Sequence, residues 1–210
     1  KDAIGVATST DGIKFEKYHE NPILTSSNFS SIRQNPCTMG VLNAVSDYNG
    51  NIIVLFEANE SENEQRGQIF AAISEDGFNF NSLNEGKPIF SCRDVKSWPV
   101  RAVCNPRLIK AGNGIFMLAF NGSWNGEWSI GLAFTKDFRQ WEEHMSNPIL
   151  VPRGYPVGSD YSHRVEGPCF DSSAIVNGDS TLVSYLMAIP YGSLNHENGI
   201  NARVEFKLTK

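Results

Sequence analysis

An all-β fold, a β-propeller built of four-stranded antiparallel blades, is predicted by three observations: phrases that recur along the chain, short strand-like runs between them, and no convincing helix. The phrases return at intervals of about 60 to 70 residues, longer than most solenoid repeats and suited to blades that carry long loops. The first phrase is a turn followed by an anchoring aromatic. Ser9-Thr10-Asp11-Gly12-Ile13-Lys14-Phe15 returns as Ser74-Glu75-Asp76-Gly77-Phe78-Asn79-Phe80 and, more loosely, as Thr135-Lys136-Asp137-Phe138-Arg139-Gln140-Trp141. Phe15 and Trp141 are read as structural.

The second phrase, Asn21-Pro22-Ile23-Leu24, is echoed by Lys87-Pro88-Ile89-Phe90 and Asn147-Pro148-Ile149-Leu150 and closes each blade. The third is a proline expected to open the next inner strand, in Asn35-Pro36-Cys37, Asn105-Pro106-Arg107 and Gly167-Pro168-Cys169. Its missing N–H is tolerated if a strand is only beginning there. Between these marks lie runs rich in β-branched and aromatic residues: Ile52 to Glu57, Gln68 to Ile73, Ile115 to Phe120, Ile130 to Phe134 and Thr181 to Ala188. With blade strands labelled A to D, residues 1–210 are expected to form a single, incomplete propeller domain. It would hold C and D of one blade, two complete blades, and A to C of another. Both ends cut through a blade, so flanking sequence is expected.

The composition fits this. The 210 residues are 40% hydrophobic and 20% charged, enough apolar content for a core. A net charge of -5 without any basic run argues against nucleic acid or an anionic membrane as partner. No segment reaches the roughly 20 apolar residues of a membrane helix. The 4 cysteines, Cys37, Cys92, Cys104 and Cys169, have neither CxxC spacing nor a neighbouring histidine pattern, so no metal site and no cofactor is read from them. They are expected to be small buried residues. An ion near a propeller axis would leave no readable pattern, and the oligomeric state leaves none either.

In a blade of antiparallel strands, the start of strand A and the loop between B and C share one rim. The strand A starts bring Arg33, Asn35, Arg101, Asn105 and Arg107 to that rim, followed by His163, Arg164 and Glu166. The B–C loops add Glu60, Asn121, Trp124, Trp128, Tyr191 and His196. This polar, aromatic rim is the candidate binding cleft, and the net negative charge makes a neutral or cationic partner the expected one.

Val165-Glu166-Gly167-Pro168, followed by a strand, a glycine turn and the strand Leu182 to Ala188, resembles the general-acid segment of five-bladed glycoside hydrolases of family 43. The stretches from Ile4 to Leu24 and from Ile130 to Leu150 are similar to blades of families 43 and 130. The resemblance implies carbohydrate as the partner and an inverting hydrolase of plant-type oligosaccharides or polysaccharides, such as arabinosides or xylosides, located in the periplasm or secreted. Glu166 would be its general acid, with a pKa raised by partial burial or by neighbouring carboxylates. Arg164 and Arg107 would oppose that shift if they point inward.

The chain also departs from the family. The tuning aspartate of the family falls at Asn105, which can hydrogen-bond a sugar but carries no charge. The general base is expected on a first blade upstream of Lys1, and Asn35 offers no carboxylate in the blade between. Asp160 and Asp171 are the nearest substitutes in sequence.

Each rim residue has a plainer reading beside the functional one. Glu166 is either the acid or a turn residue at a strand entry, and Asn35 and Asn105 are either ligand contacts or turn initiators before proline. Trp124 and Trp128 either stack on sugar faces or pack between blades. His163 and His196 either bind sugar hydroxyls or are simply exposed, and Arg101 and Arg107 either line the cleft or anchor loops to carbonyls. Two other functions compete with the hydrolase: a mannoside phosphorylase or hydrolase like family 130, and a sugar-binding propeller without catalysis. A sialidase is disfavoured, because the Asp-Gly turns lack one residue of that family's Asp box and no arginine triad is evident.

Overall fold

The computed structural model describes residues 2–32, 39–59, 67–124, 127–149 and 151, and the strand backbones of 164–176, 181–189 and 200–207. The chain begins with four two-residue strands, β1 (Ala3–Ile4), β2 (Ala7–Thr8), β3 (Glu16–Lys17) and β4 (Leu24–Thr25). Next come β5 (Met39–Ser46), β6 (Ile52–Ala58), β7 (Gln68–Ser74) and β8 (Asn81–Ser82), then β9 (Ala102–Gly112), β10 (Ile115–Trp124), β11 (Glu127–Thr135) and β12 (Glu142–Glu143). The last are β13 (Arg164–Val176), β14 (Thr181–Ile189) and β15 (Ile200–Lys207). The helices among the described residues are two three-residue 3-10 turns, Ser26–Asn28 and Asn84–Gly86.

In the three larger sheets strand order follows chain order, and every pairing among the described residues is antiparallel. β5-β6-β7-β8 and β9-β10-β11-β12 are four-stranded blades, β13-β14-β15 is three-stranded, and β1 with β4 and β2 with β3 make one interrupted hairpin. This is the β-propeller of four-stranded antiparallel blades that the repeats predict. The strand runs seen in sequence lie within β6, β7, β10, β11 and β14.

Two of the three prolines, however, do not open strands, and Pro36 lies outside the described residues. Pro106 lies inside β9 and Pro168 inside β13, each at a shift in strand register. At the β9 bulge Pro106 has no ladder partner, so its missing N–H costs no strand pairing, whereas Pro168 pairs with Leu186 directly after the unpaired Gly167.

Period-2 alternation sorts the two four-stranded blades into two apolar faces each. Ile53, Leu55, Ile69 and Ala71 pack with Val103, Leu108, Phe116, Leu118 and Phe120 to form the seam between the two four-stranded blades. On the opposite face, Val54, Phe56, Phe70 and Ala72 bury Leu24, Phe29 and Ile32 of the preceding segment.

The recurring turns repeat atom by atom. Asp11 Oδ1 accepts the N–H groups of Ile13 and Lys14 at 2.8 Å, Asp76 Oδ1 those of Phe78 and Asn79 at 2.8 Å, and Asp137 Oδ1 those of Arg139 and Gln140 at 2.9 Å. The hydroxyl of Ser9, Ser74 or Thr135 accepts from the backbone N–H three residues on. These aspartates close turns, as local side-chain bonding favours.

The turn aromatics Phe80 and Trp141 pack on the core that includes the preceding segment, and Trp141 Nε1 donates to Ile89 O at 2.6 Å. Phe15, expected to be structural, is instead 63% exposed, with no earlier blade beside it among the described residues. In the second phrase, the side chains of Asn21 and Asn147 imitate a strand. Each donates Nδ2 to a backbone carbonyl and accepts the N–H of the same residue, Val6 for Asn21 and Leu132 for Asn147.

The turn geometry sets a pH dependence. Backbone N–H groups, led by those of Lys14, Asn79 and Gln140, hold Asp11, Asp76 and Asp137 below the ordinary carboxylate value of 3.8. Because the folded values are depressed, this stabilisation is full above about 3.8 and is lost as pH falls through the folded values. The urea midpoint is therefore expected to fall progressively as pH drops below about 4. Asp76→Asn, which keeps an acceptor but cannot titrate, should show a smaller acid loss than the wild type.

Candidate active site

Antiparallel pairing fixes which ends meet at the rim. Met39 at the start of β5 pairs with Ala58, Ala102 at the start of β9 with Ser123, and Arg164 at the start of β13 with Ile189. Each inner-strand start therefore lies beside its own blade's B–C connection. β9 touches both β5 and β13.

All three inner strands shift register near these starts: between Gly40 and Asn43 in β5, between Cys104 and Arg107 in β9, and between Glu166 and Pro168 in β13. Bulges bend a strand and re-aim its side chains, and they concentrate beside active sites. At the β9 bulge Asn105 adopts a left-handed backbone with φ of 50°. Asparagine tolerates that conformation better than other residues with a side chain.

A carboxylate holds this bulge. Asn105 N–H donates to Glu57 Oε2 at 3.0 Å, from the next blade's inner strand back to β6. Burial pushes the Glu57 carboxyl above its ordinary value, and the Asn105 N–H partly offsets that rise. The sequence reading counted Glu57 only as the end of a strand run. The signal for it was alternation: Glu57 shares its strand face with Ile53 and Leu55, which are buried in the seam.

Beside Asn105, Arg107 is half-buried and its Nη1 donates to Pro106 O at 3.0 Å, the carbonyl-anchoring role weighed for it. Arg101 and Trp124 stand together: the guanidinium lies 5.0 Å from the indole centroid, and Arg101 N–H donates to Ser123 O at 2.7 Å. Trp124 is 39% exposed at the β10–β11 hairpin, so the pair forms a cation–π platform open to solvent. Trp128 is placed by its backbone opposite Ser123. Asn121, paired in register with Cys104, is fully buried.

Glu166 pairs in register with Met187 immediately before the β13 bulge, and Arg164 pairs with Ile189. Asn35, His163 and His196 lie outside the described residues, as do Arg33, Glu60, Tyr191 and Asp160. Gln68 is enclosed at the start of β7, and neither of its amide atoms has a hydrogen-bond partner among the described residues. Of the cysteines described with side chains, Cys104 is buried and Cys92 half-buried.

No protein-family model matches the chain, and no curated protein sequence matches it. Solved structures that share its fold include glycoside hydrolases and a mannobiose phosphorylase. A family 117 glycoside hydrolase from the marine bacterium Zobellia galactanivorans superimposes over 94% of this chain and 51% of its own, with a TM-score of 0.60 at 13% identity. The β-1,2-mannobiose phosphorylase of Listeria innocua matches over 85% of this chain and 59% of its own, with a TM-score of 0.56 at 16% identity. A glycosyl hydrolase from Bacteroides ovatus matches over 86% of this chain and 57% of its own, with a TM-score of 0.53 at 16% identity. The chain spans little more than half the length of these proteins.

Proposed function

We propose that this chain is the cleft-bearing part of a glycoside hydrolase, in which Glu166 protonates the leaving oxygen of a glycosidic bond. The observation that carries this reading is the pair of bulges at the same end of adjoining inner strands, one at Asn105-Pro106 and one just after Glu166. The exposed Arg101–Trp124 platform on that rim suits a sugar ring, whose C–H face stacks on an aromatic. The similarity in fold to hydrolases and a phosphorylase of glycosides supports the same class of substrate. Plant-type arabinosides and xylosides are the first substrates to try.

Sugar binding without hydrolysis is a second reading, favoured by the carboxamide of Asn105 where a carboxylate is expected. The test is release of aryl arabinoside, xyloside and mannoside by the full-length protein, with and without inorganic phosphate. Glu166→Gln is expected to lower kcat/KM by about a hundredfold or more, the usual contribution of a general acid. Unchanged turnover would remove Glu166 from the chemistry. Release that requires phosphate would make the protein a phosphorylase, and oligosaccharide binding with no release would make it a binding protein.

A further inference from the structure

We infer that Glu57 is a substrate-contacting carboxylate of the cleft, with Oε2 holding the Asn105 bulge and Oε1 accepting a hydroxyl of the bound sugar. The inference rests on the glycosidase reading above and supplies the carboxylate that the sequence left unassigned on this blade.

The first observation is incomplete partnering. An ionised carboxylate has about four acceptor positions, and a half-buried one loses much of its hydration. Glu57 receives a single hydrogen bond among the described residues, from Asn105 N–H to Oε2, and no cation pairs with it there. Among the described residues no donor reaches Oε1, and Glu57 as a whole is only partly buried.

The second observation is its setting. The residue facing Glu57 across the β5–β6 ladder is Gly40, and a Cβ there would come within 3.7 Å of Oε1. A glycine at that place leaves the oxygen uncovered. Glu57 also lies one residue from the end of β6, at the rim where β5 and β9 begin. A hydroxyl donor reaching Oε1 would therefore lie next to Asn105, and a hydrogen bond to an ionised acceptor is roughly twice as strong as a neutral one.

A purely architectural role is separable from this one. Glutamine at position 57 keeps an oxygen that can accept the Asn105 N–H, so the bulge survives while the charged acceptor is lost. Glu57→Gln in the full-length protein is expected to melt within about 3 °C of the wild type. With the best aryl glycoside of the panel, it should raise KM and lose about tenfold or more in kcat/KM. Should Glu57→Gln melt much lower, Glu57→Asp decides: it keeps the charge and withdraws the oxygens by one methylene, and the same loss is expected. Wild-type kcat/KM in a well-folded Glu57 variant, with Glu166→Gln still inactive, overturns the role of Glu57 and leaves the glycosidase reading standing. A wild-type protein that neither releases nor binds any sugar of the panel overturns both.

Discussion

Phe90→Ala is expected to destabilise the protein by about 3 to 5 kcal/mol, read from the urea midpoint at constant m-value. Phe90 is fully buried where the chain crosses from one four-stranded blade to the next. Its ring centroid lies 4.7 Å from that of Phe120 and 5.2 Å from that of Trp141, so one side chain joins rings from the body and the outer turn of the following blade. The backbone around it is fixed: Ile69 N–H donates to Phe90 O at 2.9 Å, and Ile89 N–H donates to Ile69 O at 2.8 Å. A seam held on both sides cannot collapse into the space a ring leaves, and the cavity term is then added to the transfer term. Phe90→Leu, which keeps most of the volume, should cost about 1.5 kcal/mol or less. A loss below about 1 kcal/mol for the alanine variant would mean that the seam closes over the gap.

The second large effect is expected at Gly131, from adding atoms. A Cβ there would sit 2.3 Å from Trp98 Cη2 and 2.6 Å from Phe120 Cζ, well inside contact distance. Those two rings are stacked with centroids 5.7 Å apart and planes 9° from parallel, so neither moves without the other. Gly122, on the neighbouring strand, lies under the same indole. Gly131→Ala should cost about 3 kcal/mol, the upper end of the overpacking range. Adding Trp98→Leu to Gly131→Ala should recover part of it, because the two sites share one volume. Simple additivity of the two substitutions would contradict this packing.

Much of the architecture was legible because it is local. Turn closure by Asp11, Asp76 and Asp137 uses atoms within three residues, so the phrase that announces the turn also contains its hydrogen bonds. The strand runs were visible from β-branched and aromatic content, though β10 runs on to Trp124 and β11 begins at Glu127, beyond the apolar segments. Polar residues continue those strands because the tight hairpin between them extends the ladder to the rim.

What depends on distant partners was not legible. Nothing near Glu57 in sequence tells of Asn105, 48 residues on, or that the bulge would turn an amide toward it. Proline was read as a strand opener because a register shift is a property of two strands, and one strand's sequence does not contain it. Phe15 shows the same limit, since its phrase matches that of Phe80, yet Phe80 is partly buried against another segment and Phe15 is exposed.

The outer-turn aromatics also give the molecule a direction. Trp141 reaches back to Ile89, and Phe80 rests on a core that includes Leu24 and Phe29. Like roof tiles, each blade overlaps the one before it, and the ring that secures it asks nothing of chain still to come. A polypeptide leaving the ribosome N-terminus first could set each blade as it emerges, its docking surface already made.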